Sequence, residues 1–381
     1  MNIHRFAALG LLFLLTHSAL SADPRELRFP DLEDGRLVLS VDTHTHSVFS
    51  DGHVWPTVRV WEANKDRLDA MAITEHLEYQ PYRKDIPHPD RNRAFELAAK
   101  ENKKGRERTD LLLIAGAEIT RKYSPGHVNA LFIDDANPLL TTKNRNEETY
   151  ANARDALREA KAQQAFMIWN HPAWQNDFPD GVIKISKKQQ ALFDEGLIHG
   201  IEVANGEYFN DSSLQVALDH NLAIIGASDI HGLIDYDYDI TAGTHRTVTL
   251  AFAEERSVTG IAQALFQKYT VALYDRQFIG REAELDALFN SFVSFERLPS
   301  RRKDRQQTTV RIRNAGPIAI ELKVAGNISL NKSVGYITVP AKGATVITVL
   351  DRAANEPIDL ELVWVNSWQA PKTHASVQIS L

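Results

Sequence analysis

The sequence predicts a parallel α/β barrel followed by a small antiparallel β-sandwich. Three observations predict it. Short apolar runs alternate with helical patterns over roughly 250 residues, as in barrels and doubly wound sheets. Polar, ligand-type residues gather at the carboxyl ends of those runs, where parallel barrels carry their sites, and this favours the barrel. After about residue 300 the texture turns to period-two alternation broken by Gly, Pro and Asn, the mark of short antiparallel strands.

The chain has 381 residues, 43% hydrophobic and 24% charged, which excludes disordered, collagen-like and coiled-coil classes. That length suggests more than one domain, since single cores stop growing near ~250–300 residues. A net charge of −7 announces no basic surface and speaks against non-specific nucleic-acid binding. Cysteine is absent, so there is no disulfide, thiolate ligand or cysteine nucleophile, and any metal must be held by His, Asp and Glu.

Residues 1–22 read as a secretory signal peptide. Arg5 supplies the positive region, Phe6 to Leu15 the apolar run, and Ala19-Leu20-Ser21-Ala22 the small residues for cleavage. No later stretch is long enough to span a bilayer. The expectation is a soluble, exported, periplasmic protein with no membrane attachment once the leader is removed. Residues 23–300 are expected to form the barrel and residues 301–381 the sandwich.

The strands follow in order. Leu37–Val41 ends in Asp42-Thr43-His44-Thr45-His46. Leu68–Ile73 ends in Thr74-Glu75-His76, and Leu111–Ala115 leads to Gly116-Ala117-Glu118. Val128–Ile133 has His127 at its start. Ala165–Trp169 ends in Asn170-His171-Pro172, Ile201–Val203 in Ala204-Asn205-Gly206, and Leu222–Ile225 in Gly226-Ala227-Ser228-Asp229-Ile230-His231. Continuous apolar runs of this length suit strands buried on both faces of a parallel sheet. Helices are expected after Pro56 and near Arg93–Lys104, Glu147–Gln163, Ser186–Glu195 and Ser212–Asn221, the last two with capping residues near their starts. There is no glycine-rich dinucleotide fingerprint and no phosphate-binding loop of the Gly-Lys-Ser/Thr kind.

Arg301 to Gln307 reads as a solvated linker. Thr309–Arg313, Ile318–Val324, Thr345–Val349, Leu360–Val365 and Val377–Leu381 are the sandwich strands. They carry no chemical constellation; packing against the barrel is the plain role, with Trp364 and Trp368 as candidates for stacking on a carbohydrate.

The histidines indicate the chemistry. Alternate residues of a strand point to one side, so His44 and His46 can converge on one ion, and Asp229 and His231 repeat that spacing with a carboxylate and an imidazole. Glu118 offers an oxygen ligand able to bridge two ions. A lone histidine at a strand end is usually a hydrogen-bonded structural residue; such residues at successive strand edges point to metal. The nitrogen and oxygen donors suit Zn, Mn or Fe.

The ordered set Asp42-x-His44-x-His46, Ser50-Asp51-Gly52, Ile73-Thr74-Glu75-His76, Gly116-x-Glu118, Gly126-His127, Asn170-His171-Pro172 and Ser228-Asp229-Ile230-His231 resembles the PHP family, named for polymerase and histidinol phosphatase, over roughly residues 36–290. The resemblance implies a distorted (β/α)7 barrel with up to three metal ions at the carboxyl ends of its strands. It puts His44, His46, Glu118 and Asp229 on a first ion, Glu118 with His127 and His171 on a second, and Asp51, His76 and His231 on a third. His53, close to Asp51, is an alternative third-ion ligand; Ser-Asp-Gly matches the family directly and favours Asp51. Where the family usually has Asp before His76, this chain has Glu75, expected to orient His76 through a hydrogen bond.

The implied activity is hydrolysis of a small organic phosphate ester, since a hydroxide shared by close ions can attack phosphorus in line. Arg246 and Arg121 are candidates for stabilising the phosphoryl oxygens, because guanidinium matches phosphate bidentately; Arg121 can equally sit in a salt bridge. His245 can protonate the leaving group or simply pack. Trp174, Tyr79, Tyr82, Tyr208 and Phe209 are candidates for a substrate wall. A phosphodiesterase or nuclease-like activity, hydrolysis of C–N or C–O bonds, and a catalytically silent metal- or sugar-binding protein remain as other readings. No nucleic-acid partner is expected.

Overall fold

The computed structural model describes residues 25–381 apart from 106–109, 123–125, 142–148, 174–177, 240–243, 300–306, 327, 332–334 and 351–355. The expected signal peptide, most of the linker and Trp174 lie outside the described residues. Among the described residues, no helix is long and apolar enough to cross a membrane.

The first half runs β1 (Leu37–Asp42), α1 (Pro56–Lys65), β2 (Ala70–Ile73), α2 (Arg93–Asn102), β3 (Leu112–Ile119), β4 (Val128–Leu131), α3 (Tyr150–Ala162) and β5 (Phe166–Trp169). Then come α4 (Lys187–Asp194), β6 (Gly200–Asn205), β7 (Tyr208–Phe209), α5 (Asp211–Asp219), β8 (Ala223–Ala227) and the short α6 (Ile234–Asp237). β9 (Val248–Ala253), α7 (Val258–Gln267), β10 (Thr270–Tyr274), β11 (Gln277–Gly280) and α8 (Glu282–Phe292) complete this part.

The helices begin where local chemistry allows. Pro56 opens α1, where its missing N–H costs nothing. Thr149 and Ser186 cap α3 and α4, each in a reciprocal box with the Asn152 or Gln189 side chain. Asn210, not Ser212, caps α5 by accepting the Ser213 N–H.

The strands build one curled sheet in the order β11-β10-β9-β1-β2-β3-β4-β5-β6-β7, with β8 joined to β6. It is mixed, which corrects the expectation of an all-parallel sheet. β1–β2, β2–β3, β5–β6 and β6–β8 are parallel, whereas β3–β4, β4–β5 and β1–β9–β10–β11 are antiparallel. The connection from Ile119 to Val128 is too short for the helical crossover that a parallel pair needs. The seam between β8 and β9 is closed by a side chain: the Gly226 N–H donates to Thr249 Oγ1 at 3.0 Å, and that hydroxyl donates back to the Gly226 carbonyl at 2.8 Å. A Cβ on Gly226 would stand 2.7 Å from the Val248 carbonyl, so the seam requires glycine. The result is a distorted α/β barrel.

Strand alternation sorts the core. Leu39, Val41, Ile114, Ile168 and Ile225 meet in one interior cluster, while Val38 faces a second cluster beneath the helices. Each buried Leu or Ile contributes about 1.5–3 kcal/mol.

Two antiparallel sheets follow. β12 (Val293–Leu298), β13 (Gln307–Asn314) and β16 (Gly343–Leu350) form the first. β14 (Ile320–Ala325), β15 (Tyr336–Val339), β17 (Asp359–Trp364) and β19 (Ala375–Ser380) form the second. β12 pairs with β13 along its whole length, so the first sheet takes in residues before Arg301. β18 (Ser367–Trp368) leaves the second sheet and pairs parallel with β11 of the barrel. Trp364 is fully buried against Phe278 and Phe289, which removes it as a carbohydrate-stacking residue.

Candidate metal centre

The strand ends of β1, β2, β3, β5 and β8 converge on one point, and an isolated parallel bridge between Thr45 and Ile230 ties the first to the last. His44 and His46 point the same way, with their Nε2 atoms 2.9 Å apart. Glu118 Oε2 lies 3.4 Å from each, and Asp229 Oδ1 lies 3.2 and 3.1 Å from them. A tetrahedral ion with bonds of about 2.0–2.1 Å has ligand–ligand edges of ~3.3 Å, so the spacing of these atoms fits one.

The other oxygen of Glu118 faces a second group. Oε1 lies 2.9 Å from His127 Nδ1 and 3.7 Å from His171 Nε2. A third group sits towards solvent: Asp51 Oδ1 is 3.2 Å from His231 Nε2, and its Oδ2 is 3.4 Å from His76 Nε2. All nine residues expected from the sequence are therefore in one cluster. The His53 side chain is exposed, while Asp51 faces the cluster. A Cβ on Gly52 would stand 2.6 Å from the His46 backbone, which is why the Ser-Asp-Gly turn ends in glycine.

Whether these residues suit a metal can be tested on the protein alone. Asp51 Oδ1, Glu118 Oε2 and Asp229 Oδ1 are buried and meet only imidazole nitrogens, the nearest being those of His231, His76 and His46 in turn, without a well-formed hydrogen bond among the described residues, a costly arrangement unless a cation faces them. Burial would raise the Glu118 and Asp229 carboxyls, yet the surrounding imidazoles, His76 first for Glu118 and His44 first for Asp229, hold both well below the usual range. Burial, with the charge of His76, pushes His46 down to about 3, while Glu118 and Asp51 outweigh burial and push His76 up to about 10. Ionised carboxylates packed among imidazoles are a donor set for divalent cations. Two of the contributing residues, His171 and Asp229, hold positive φ of 26° and 49°, backbone strain of the kind that collects at functional sites.

Supporting side chains fix the donors. Asn170 Nδ2 donates to Glu118 Oε1 at 3.0 Å. Glu202 Oε1 lies 2.8 Å from His44 Nδ1, and its Oε2 accepts the His171 N–H at 2.8 Å. Sequence reasoning passed over Glu202, although a carboxylate inside the apolar run Ile201-Glu202-Val203 was itself a signal. Glu75 does not orient His76. It accepts the N–H of Ser47 at 3.1 Å and the hydroxyls of Ser47 and Ser50, and Ser50 Oγ is 3.1 Å from His46 Nδ1. Adjacent residues in extended chain point to opposite sides, so Glu75 supports the neighbouring turn, and the His76 Nδ1 meets Thr120 Oγ1 instead.

The three residues proposed to work on phosphate stand elsewhere. Arg246 is fully buried beneath the cluster, its Nε 2.9 Å from Asp66 and its Nη1 3.2 Å from Asp42. His245 is buried, with ring nitrogens 3.0 Å from the backbone carbonyls of Arg246 and Arg25. Arg121 is buried against Glu78 and donates to Thr141 Oγ1 at 3.0 Å. None of them lines the cavity that opens over the cluster. Asp66 and Asp42 for Arg246, Glu78 for Arg121 and the Arg25 carbonyl for His245 all come from distant stretches of chain; the other His245 partner is its own neighbour. That cavity, of about 810 Å³, is walled by Tyr79, Tyr208 and Phe209 among others; Tyr82 stands outside it.

No family model and no curated protein matches the chain. Solved structures do. A Bacteroides vulgatus two-domain protein containing a predicted PHP-like metal-dependent phosphoesterase is 41% identical, with a TM-score of 0.84, over 93% of this chain and 98% of that one. A Bifidobacterium adolescentis candidate metal-dependent phosphoesterase is 19% identical over 51% of this chain and 88% of its own, with a TM-score of 0.35. A Chromobacterium violaceum amidohydrolase with bound sulfate is 16% identical over 50% and 87%, also at 0.35. Identity of 41% across both parts of the first of these, together with the convergence of the histidine and carboxylate motifs, makes this protein a member of the PHP family.

Proposed function

We propose that the protein is a metal-dependent phosphoesterase acting on a small organic phosphate ester. The observation that carries this reading is Glu118, buried at the centre with one oxygen facing His44 and His46 and the other facing His127. In this reading His44, His46, Glu118 and Asp229 hold one divalent ion, Glu118, His127 and His171 a second, and Asp51, His76 and His231 a third, with Zn, Mn or Fe as the candidates. Ions held there would supply a hydrolytic nucleophile at neutral pH and take up charge on the phosphoryl oxygens.

The chain's own part is positioning. Asn170 fixes Glu118, Glu202 fixes the His44 ring so that Nε2 points inward, and Ser50 does the same for His46. With Arg121, Arg246 and His245 occupied elsewhere, none of the three reaches the phosphate, and ions held by the cluster would take up its charge. Residues 1–22, read as an export leader, put the reaction in the periplasm.

The test is to strip the purified protein with chelator, restore Mn or Zn, and assay a chromogenic phosphomonoester beside a diester, with metal analysis on protein purified without added metal. Turnover of the monoester that is lost on stripping and regained on restoration is expected; turnover of neither ester by metal-loaded protein overturns the reading. His171→Ala should lose metal and turnover while remaining folded.

A further inference from the structure

The cavity over the cluster is of a size that takes a small organic molecule, about 810 Å³ against roughly 300–1,000 Å³ for such sites. Its inner end is the cluster. Away from the cluster it is lined by Tyr79, Phe178, Tyr208 and Phe209, with Pro172 and Val203. Among the described residues that line it, none is Lys or Arg.

The amide and acidic side chains of the wall already have partners. Asn210 Nδ2 donates to the Gly181 carbonyl at 3.0 Å, and its Oδ1 accepts the Ser213 N–H at 2.8 Å. Asn205 Nδ2 donates to Glu202 at 2.8 Å and to Asp229 at 3.2 Å. Asp180 accepts the Val182 N–H at 3.1 Å and pairs with Lys184 at 3.1 Å. Besides the exposed Asp180 carboxylate and the Tyr208 hydroxyl, what the wall presents is ring faces and apolar edges.

Resting on the phosphoesterase reading, we propose that the substrate is the phosphate monoester of an uncharged, ring-bearing, apolar alcohol, with its ring against Phe209 and Tyr208. A second phosphate beyond the cluster would meet carboxylates and aromatic faces, with no Lys or Arg among the described lining residues to replace its water, so polyphosphates and nucleic-acid backbones are turned away.

Two measurements on the full chain test this separately from the reading beneath it. In the first, 2-naphthol is titrated into the protein by calorimetry, which needs no turnover. Saturable binding is expected, weakened about threefold to tenfold in Phe209→Ala and in Tyr208→Ala, the range set by loss of one ring–ring contact. Tyr208 is 77% exposed, so its variant folds even where Phe209→Ala does not. In the second, Mn-loaded protein is offered 2-naphthyl phosphate, ATP and a dinucleotide, and kcat/KM is expected to favour the naphthyl ester. Absence of naphthol binding, binding unchanged in Tyr208→Ala, or turnover of ATP or the dinucleotide as efficient as that of the naphthyl ester overturns the inference. Hydrolysis of none of the three alongside wall-dependent naphthol binding overturns the phosphoesterase reading and leaves the apolar cleft standing.

Discussion

Glu202 ties two ligand-bearing strand ends together: one of its oxygens lies 2.8 Å from His44 Nδ1 and the other accepts the His171 backbone N–H at 2.8 Å. It is buried in the middle of β6, where an isolated carboxylate would be expensive. Its position fixes which nitrogen of His44 is free to face Glu118 and Asp229. Glu202→Ala should therefore weaken metal binding by about 10–100-fold. Glu202→Gln, whose amide oxygen can still accept from the imidazole, should fall between. Equilibrium dialysis against buffered zinc measures both, and an unaltered affinity in the alanine variant would remove the role.

Arg246 connects Asp66 after α1 to Asp42 at the end of β1, and Asp42 in turn accepts the Ser228 N–H at 3.1 Å and the Ser228 hydroxyl at 2.6 Å. It holds the floor under Asp229 and does not touch the cleft. Removing the guanidinium leaves the buried Asp42 with its Ser228 contacts but no paired cation, and Asp66 with Arg25 alone, so Arg246→Ala should lose about 3–5 kcal/mol of stability. Urea denaturation measures this loss. Turnover per folded, metal-loaded molecule should change far less than it does in His171→Ala; a variant of full stability with no turnover would restore the phosphate-binding role.

The metal-ligand pattern was readable because spacing and chemistry coincide: His44-x-His46 puts two donors on one side of extended chain whatever surrounds them, and Asp229-x-His231 repeats the spacing, although Asp229 itself sits at φ 49°. Arg246 was misread because a cation next to ligand motifs looks the same in sequence whether it faces phosphate or a buried aspartate. Asp66, lying 180 residues earlier, settles the matter, and only folding brings it there. The antiparallel β4 was readable after all, since the chain between Glu118 and His127 has no room for a crossover helix. β9 to β11 were not resolved as strands, although Val248–Ala253 is as apolar as the runs that were. The placement of β18 in the barrel sheet had no local signal, because two residues carry no period.

Asp66 gives the fold a defined acid limit. Burial raises its carboxyl, but Arg246 first, then His245 and the hydrogen bonds from Arg246 and Arg25, hold it below its ordinary 3.8. A carboxylate depressed in the folded state stabilises the protein above its unfolded pKa, and that stabilisation is lost as pH falls through the folded value. This contribution should thus be constant from neutrality down to about pH 4 and disappear below it. Asp66→Asn should be less stable at neutral pH and show a shallower loss on acidification. Denaturation midpoints taken across pH 2.5–7 would test it; parallel curves for variant and parent would refute it.

The sandwich acts on the cleft through Trp368. The ring lies 5.7 Å, centroid to centroid, from Phe209, rests 4.5 Å from His374, and donates its Nε1–H to Gln277 Oε1 at 3.1 Å. Its strand is pinned to the barrel by pairing of Ile279 with Trp368 and by the Asn366 side chain, which donates to the Arg276 carbonyl at 2.9 Å. Phe209 lines the cavity, so Trp368 supports that wall from behind. It touches none of the metal-facing histidines. Trp368→Ala should raise KM for 2-naphthyl phosphate about threefold to tenfold while kcat stays within about twofold, since one ring–ring contact is lost far from the reacting phosphate. Trp368→Phe, which keeps a ring against Phe209 but drops the hydrogen bond to Gln277, should recover most of the difference. Steady-state kinetics on the three proteins separates this from general damage: a fall in kcat matching the loss of folded protein, with KM unmoved and no rescue by phenylalanine, would make Trp368 a packing residue alone.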